Sequence, residues 1–218
     1  MIVAAHQPLH LPWLGFFQKV AACDVFVIMD DLQFTQRDFQ NRNRVKANNG
    51  PTWLTVPLVH GHRDDLICGK RIANGCPSRH SWQTRTWRTL TTHYGPSEYF
   101  GRYAPDLQSV YTRRWDKLLD LNLHLLSLML GWLEIPTKMV LSASLGLHGR
   151  LTDRIVDLCL RLGASTYLSG SGGAVEYLEE GKFLAAGIDV IWQEFNHPTY
   201  EKRYPSIGFL PNLSGLED

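Results

Sequence analysis

Apolar positions in this chain come either as short continuous runs or as stripes at helical spacing, and the alternation between the two predicts most of its elements. Ile2-Val3-Ala4-Ala5 predicts a first strand, Leu14 to Cys23 is compatible with a helix, and Asp24-Val25-Phe26-Val27-Ile28-Met29 has the length of a buried strand. A β-α-β opening results. Asp30 to Asn49 is polar, after which Trp53-Leu54-Thr55-Val56-Pro57-Leu58 predicts a strand closed by proline, with Leu66 to Ile72 as its pairing partner. From Ser78 to Leu133 the period turns helical, over Ser81 to His93, Pro105 to Arg114 and Leu118 to Leu133, so a mainly helical insertion or lid is expected around 78–134. Short runs then return: strand Lys138 to Leu141, helix Thr152 to Leu162 ended by Gly163, strand Thr166 to Ser169, helix Val175 to Ala186 and strand Asp189 to Trp192. The expected fold is α/β, a mostly parallel sheet with flanking helices and right-handed crossovers, with a helical insertion in the middle third. A single domain over 1–218 is expected.

Composition narrows the functional classes. Lys and Arg total 22 against 21 for Asp and Glu, so a net charge of +1 offers no field that would draw the whole molecule onto nucleic acid or a membrane. Any anion contact must be local. No apolar run approaches the roughly 20 residues of a membrane span, and the N-terminus has no secretory pattern, so a cytoplasmic protein with no membrane partner is expected. Cys23, Cys68, Cys76 and Cys159 are scattered and predict reduced thiols, with Cys159 in a helical core pattern.

Candidate chemistry gathers where predicted strands end, the usual ligand face of an open α/β sheet. His6, Gln7 and His10 follow strand 1, with Lys19 further along the helix; imidazoles there can move a proton or hold an anion, although a turn histidine bonded to backbone is the competing reading. Asp30 and Asp31, with Gln33, close the second strand and can orient a histidine or accept protons. The run Arg37 to Lys46, with Gln40, Asn41, Arg42, Asn43 and Arg44 at its centre, supplies forked donors for phosphate or carboxylate oxygens. Ser169, Gly170, Ser171, Gly172 and Gly173 form a strand-to-helix turn able to close backbone N–H groups on an anion, or simply to pack tightly. His197, before Pro198 and Tyr200, is a second candidate for proton transfer. The pair His60 and His62 fits an ordinary loop better than a metal site, and Trp82 to Arg88 fits an amphipathic helix with Trp82 and Leu90 inward. No cofactor and no metal are expected.

Several blocks carry a resemblance when taken in order: His6-Gln7-Pro8 with Leu11 to Phe17 and Lys19, Asp30-Asp31 with Gln33-Phe34, Gln40 to Arg44, Tyr167 to Gly170, Gly187-Ile188, and His197-Pro198 with Tyr200. Together, from residue 1 to about Asn212, the chain resembles the WbqC-like protein family. That resemblance implies a setting in surface-polysaccharide or small-molecule biosynthesis and transfer of a glycyl or other aminoacyl group. His10 stands where the family pattern has Tyr, which signals a different acceptor. The chain stops after Pro211 to Ser214 where relatives tend to continue with an apolar segment, which predicts an edge trimmed or finished by a partner.

The expected function is acyl transfer from an activated donor, with a carrier protein or aminoacyl-tRNA among the expected donor partners, to an amine or hydroxyl of a sugar or metabolite. His6, oriented by Asp30 or Asp31, is the expected base, Lys19 or the Ser169 to Gly173 backbone the oxyanion site, and Asn41 to Arg44 the holder of the donor's anionic part. Alternatives are a non-catalytic nucleotide- or carrier-protein-binding module and a nucleotidyltransferase-like enzyme. These segments are expected to converge on one pocket.

Overall fold

The structure, a computed structural model, describes residues 1–75, 78–172 and 178–217. Within them the chain separates into two compact units, one of Met1–Pro8, Gly15–Leu32 and Leu130–Asn196, the other of Leu9–Leu14, Gln33–Met129 and His197–Asp218.

The first unit is built on a five-stranded parallel sheet. Its elements are β1 (Ile2–His6), α1 (Leu14–Ala21), which has its first residue in the other unit, and β2 (Val25–Ile28). The second unit contributes β3 (Arg42–Ala47), β4 (Gly50–Thr55), α2 (Trp82–Tyr94), α3 (Phe100–Thr112) and most of α4 (Leu118–Trp132). The chain then returns to the sheet with β5 (Lys138–Leu141), α5 (Leu151–Leu162), β6 (Thr166–Ser169), α6 (Glu180–Ala185) and β7 (Asp189–Trp192). The strand order is β5-β2-β1-β6-β7 and every pairing is parallel.

Burial follows from that order. Central β2 is covered on both faces, so all four of its residues are buried and apolar, whereas edge strand β7 alternates and exposes Asp189 and Ile191. Val3, Ala5, Val25, Val27 and Tyr167 share one face with Leu158 and Cys159 of α5 and Phe183 of α6. Phe26 turns to the opposite face, where its ring meets Phe16 of α1 edge-on at 5.2 Å. Gly163 ends α5 at φ 68°, a left-handed cap whose N–H reaches the Cys159 and Leu160 carbonyls.

Three expectations moved. The polar stretch after β2 contains β3, hidden because its residues alternate Arg42, Arg44 against the buried Asn43, Val45; Asn48 and Asn49 form the hairpin tip and β4 starts at Gly50, before the apolar run. The expected pairing of Leu66 to Ile72 with the run Trp53 to Leu58 is found only at one end, where Ile72 makes an antiparallel bridge to Leu58 and the Ala73 N–H donates to the Pro57 carbonyl, beyond the last residue of β4. Helix α3 starts five residues before Pro105, which sits inside it and forgoes one backbone bond. Of the expected helix Val175 to Ala186, residues 175–177 lie outside the described residues, as do Gly173 and Cys76, and α6 occupies Glu180–Ala185. Trp82 and Leu90 are buried as expected.

Candidate functional site

In the first unit the chain runs outward from β1 to β2 and β5, then crosses back to place β6 on the other side of β1. The carboxyl ends of β1 and β6 are therefore a topological switch point, the place where such sheets bind ligands. His6 and Gln7 leave β1 there, and Ser169 and Gly170 leave β6.

The His6 ring packs edge-on against Phe16 at 5.3 Å, and its Nδ1 donates to the Gln7 carbonyl at 2.9 Å. A carbonyl only accepts, so the proton of the neutral ring is on Nδ1 and the basic lone pair on Nε2. Lys19, on α1, is 3% exposed and donates from Nζ to the Ala5 carbonyl at 2.9 Å. Its Nζ lies 3.6 Å from the point where a side chain at Gly170 would begin. Burial pushes the Lys19 pKa down to about 8, and among the described residues no carboxylate forms an ion pair with it. Its neighbour Cys23 is a thiol pushed up to about 11 by burial, which supplies no negative charge at neutral pH. Ser169 is fully buried, with its carbonyl accepting from the Gln193 N–H at 2.7 Å, while Ser171 and Gly172 are exposed.

Asp30 and Asp31 stand at the end of β2, and their hydrogen bonds run towards β5 and α5. Asp30 Oδ1 accepts from Ser142 Oγ at 3.2 Å and Ala143 N at 3.0 Å; Asp31 accepts from Ser142 Oγ at 2.5 Å and pairs with Arg154 Nη2 at 2.6 Å.

The remaining sequence candidates fall in the second unit. His10 is 1% exposed and its Nδ1 contacts Asn122 Oδ1 at 3.1 Å; burial pushes its pKa down to about 4, so it is a neutral core imidazole. Gln33 donates to the Arg63 carbonyl and fully buried Gln40 accepts from Thr35 N. The amides of Asn41 and Asn43 donate to the Val56 and Leu11 carbonyls. Arg42 and Arg44 instead face the indole of Trp53, with guanidinium carbons 4.2 and 5.5 Å from its centroid. His197 stacks on Tyr200, and both rings meet Phe209 edge-on; Lys202 Nζ lies 4.8 and 5.0 Å from the Tyr200 and Phe209 rings. Among the described residues no group of three or more His, Cys, Asp or Glu side chains is placed to hold a metal ion. No helix among them is long and apolar enough to cross a membrane.

The chain matches the model of the WbqC-like protein family over residues 7–217. The chain belongs to that family. Its sequence is also similar to "Uncharacterized protein Rv1507c" of Mycobacterium tuberculosis, with 32% identity over 217 residues, 99% of this chain and 91% of the relative. No solved structure matches it.

In this WbqC-like chain, sequence reasoning passed over Gln193, Ser142 and Arg154. Gln193 directly follows the last residue of β7, and its Nε2 donates to the Gly15 carbonyl at 2.7 Å and to Gln18 Oε1 at 2.5 Å, holding α1. Its place at a strand end was a usable signal, whereas Ser142 and Arg154 carry none until the sheet order is known. The Lys19 site also makes the stability of this WbqC-like protein depend on pH. A lysine whose pKa falls from 10.5 unfolded to about 8 folded binds more protons in the unfolded state between those values. Wild type is therefore expected to gain stability as pH rises from about 8 to 10.5, by on the order of 3 kcal/mol relative to Lys19→Met. Urea unfolding of both proteins across that range measures this, and parallel pH curves would remove the buried ammonium.

Proposed function

We propose that the first unit catalyses acyl transfer, moving an activated aminoacyl group such as glycyl from a thioester, adenylate or tRNA ester to an amine or hydroxyl of a sugar or small metabolite. One observation carries the reading: a buried ammonium with no carboxylate partner among the described residues stands at the switch point of a parallel sheet, beside a glycine. An isolated buried cation is costly and is expected where negative charge develops during turnover. His6 Nε2 takes the acceptor's proton as its nitrogen or oxygen bonds to the acyl carbon. The carbonyl electron pair moves onto oxygen, where Lys19 Nζ and N–H groups of the turn after β6 stabilise it. Collapse of this intermediate breaks the bond to the leaving group, which receives the proton from His6. Asp30 and Asp31, held by Ser142, Ala143 and Arg154, place negative charge at the strand ends and favour the transient imidazolium.

The test is incubation with radiolabelled glycyl thioester, glycyl adenylate and glycyl-tRNA together with a panel of amino sugars. Label is expected to pass from at least one donor to an acceptor faster than without protein. Thermal stabilisation by these compounds with no conversion overturns the reading in favour of a binding module, and Mg²⁺-dependent pyrophosphate release from ATP or CTP overturns it in favour of nucleotidyl transfer.

A further inference from the structure

The face of the β3–β4 hairpin that carries Arg42, Arg44 and Trp53 has a charge and shape that its own fold does not explain. Arg42 and Arg44 are two residues apart on β3 and so point to the same side, about 7 Å apart by strand rise. Arg44 is directly opposite Trp53 in the register. Both guanidiniums lie against that single indole, and the Phe39 ring stands 5.9 Å from it at 38°. Like charges gathered on one ring repel unless a counter-ion joins them. Among the described residues neither arginine has a carboxylate partner in an ion pair, and the Nε–H groups of both are buried with no hydrogen-bond partner. Arg42 donates from Nη2 to the Arg37 carbonyl, and Asp38, the carboxylate next to Phe39 in the chain, accepts from the Phe39 amide N–H. At the other end of the same strand Lys46 is buried and donates to the Gly208 carbonyl, so the free part of the face is the Arg42 end. There Trp53 is 43% and Phe39 36% exposed, so both rings in contact present apolar surface to solvent.

We propose that Arg42, Arg44, Trp53 and Phe39 form a binding site for a nucleoside monophosphate. The base stacks on the exposed aromatic rim and the phosphate is held by the paired guanidiniums, whose forked donors match its oxygens. One indole, one phenyl ring and two cations cover a single nucleotide, and a chain with a net charge of +1 lacks the wider field that tracks a nucleic-acid strand. Asn41 and Asn43, engaged with backbone, take no part. This site goes beyond the acyl-transfer reading and does not depend on it.

Equilibrium dialysis with AMP, adenosine and inorganic phosphate tests the site. Wild type is expected to bind AMP saturably, and the double variant Arg42→Gln, Arg44→Gln to bind it at least tenfold more weakly with adenosine binding within twofold of wild type. Trp53→Leu is expected to weaken both AMP and adenosine. Since the variants could disturb the hairpin, wild-type protein is also irradiated with 8-azido-AMP, and the label is expected within residues 37–55. Absence of saturable AMP binding, unchanged AMP binding by the double variant, label elsewhere, or binding of an oligoadenylate but not AMP each overturns the proposal. His6→Ala is expected to bind AMP like wild type, so the two proposals fail separately.

Discussion

Replacing His6 by alanine is expected to lower turnover by roughly 10²- to 10⁴-fold, the usual contribution of a positioned general base. The expectation comes from geometry. The ring is held by Phe16 on one side and by its Nδ1–H bond to the Gln7 carbonyl on the other, so the tautomer with a basic Nε2 is selected before any substrate arrives. The side chain is only partly buried at the end of β1, so its loss leaves the sheet core intact. Circular dichroism and the unfolding midpoint should change little while kcat falls. Added imidazole should restore part of the lost rate, a rescue that a merely structural histidine would not show. Wild-type turnover in His6→Ala would end its assignment as the base.

Phe26→Ala should be the more damaging change to the fold, costing about 3–5 kcal/mol, the range for removing a fully buried aromatic ring. Phe26 is 0% exposed on central strand β2, and it meets the Phe16 ring at 5.2 Å. A ring deleted there leaves a cavity between strand and helix that rigid β-pairing on both sides, to β1 and to β5, prevents from closing. A loss of this size is a large fraction of the stability of an ordinary domain. Urea titration at a fixed pH reads it as a lower midpoint, with Leu184→Ala, at a site 76% exposed, as a control expected within about 0.5 kcal/mol of wild type. A change below about 1 kcal/mol for Phe26→Ala would contradict the packing of α1 on the sheet.

Local pattern was enough for β1, α1, β2, β5, α5, β6 and β7, because a short apolar run between turn residues reports a strand, and an apolar stripe at helical spacing a helix, without reference to any partner. It was not enough for β3, whose half-buried residues are arginines and whose buried ones include Asn43; only pairing with β4 shows the alternation to be that of a strand. The same holds for the candidate residues. His6 and Lys19 were legible as strand-end and helix residues, yet the pairing of Lys19 with the Ala5 carbonyl beside Gly170 joins positions up to 165 apart and follows from sheet order. His10 looked equivalent to His6 in sequence; its contact with Asn122, 112 residues away, makes it a neutral core group.

What the amino-acid order alone determined is the type and succession of elements, the α/β class, the family and the supply of imidazole, ammonium, carboxylate and guanidinium groups, since these depend on short-range periodicity and on which residues are present. What only the tertiary structure decided is which of those groups meet: Lys19 with β1 and the turn after β6, the Asp30–Asp31 pair with Ser142 and Arg154, and Arg42 and Arg44 with Trp53. Burial and hydrogen bonding to distant partners set the charge and basicity of each group, and those partners are selected by strand order and register, which no local window of sequence contains.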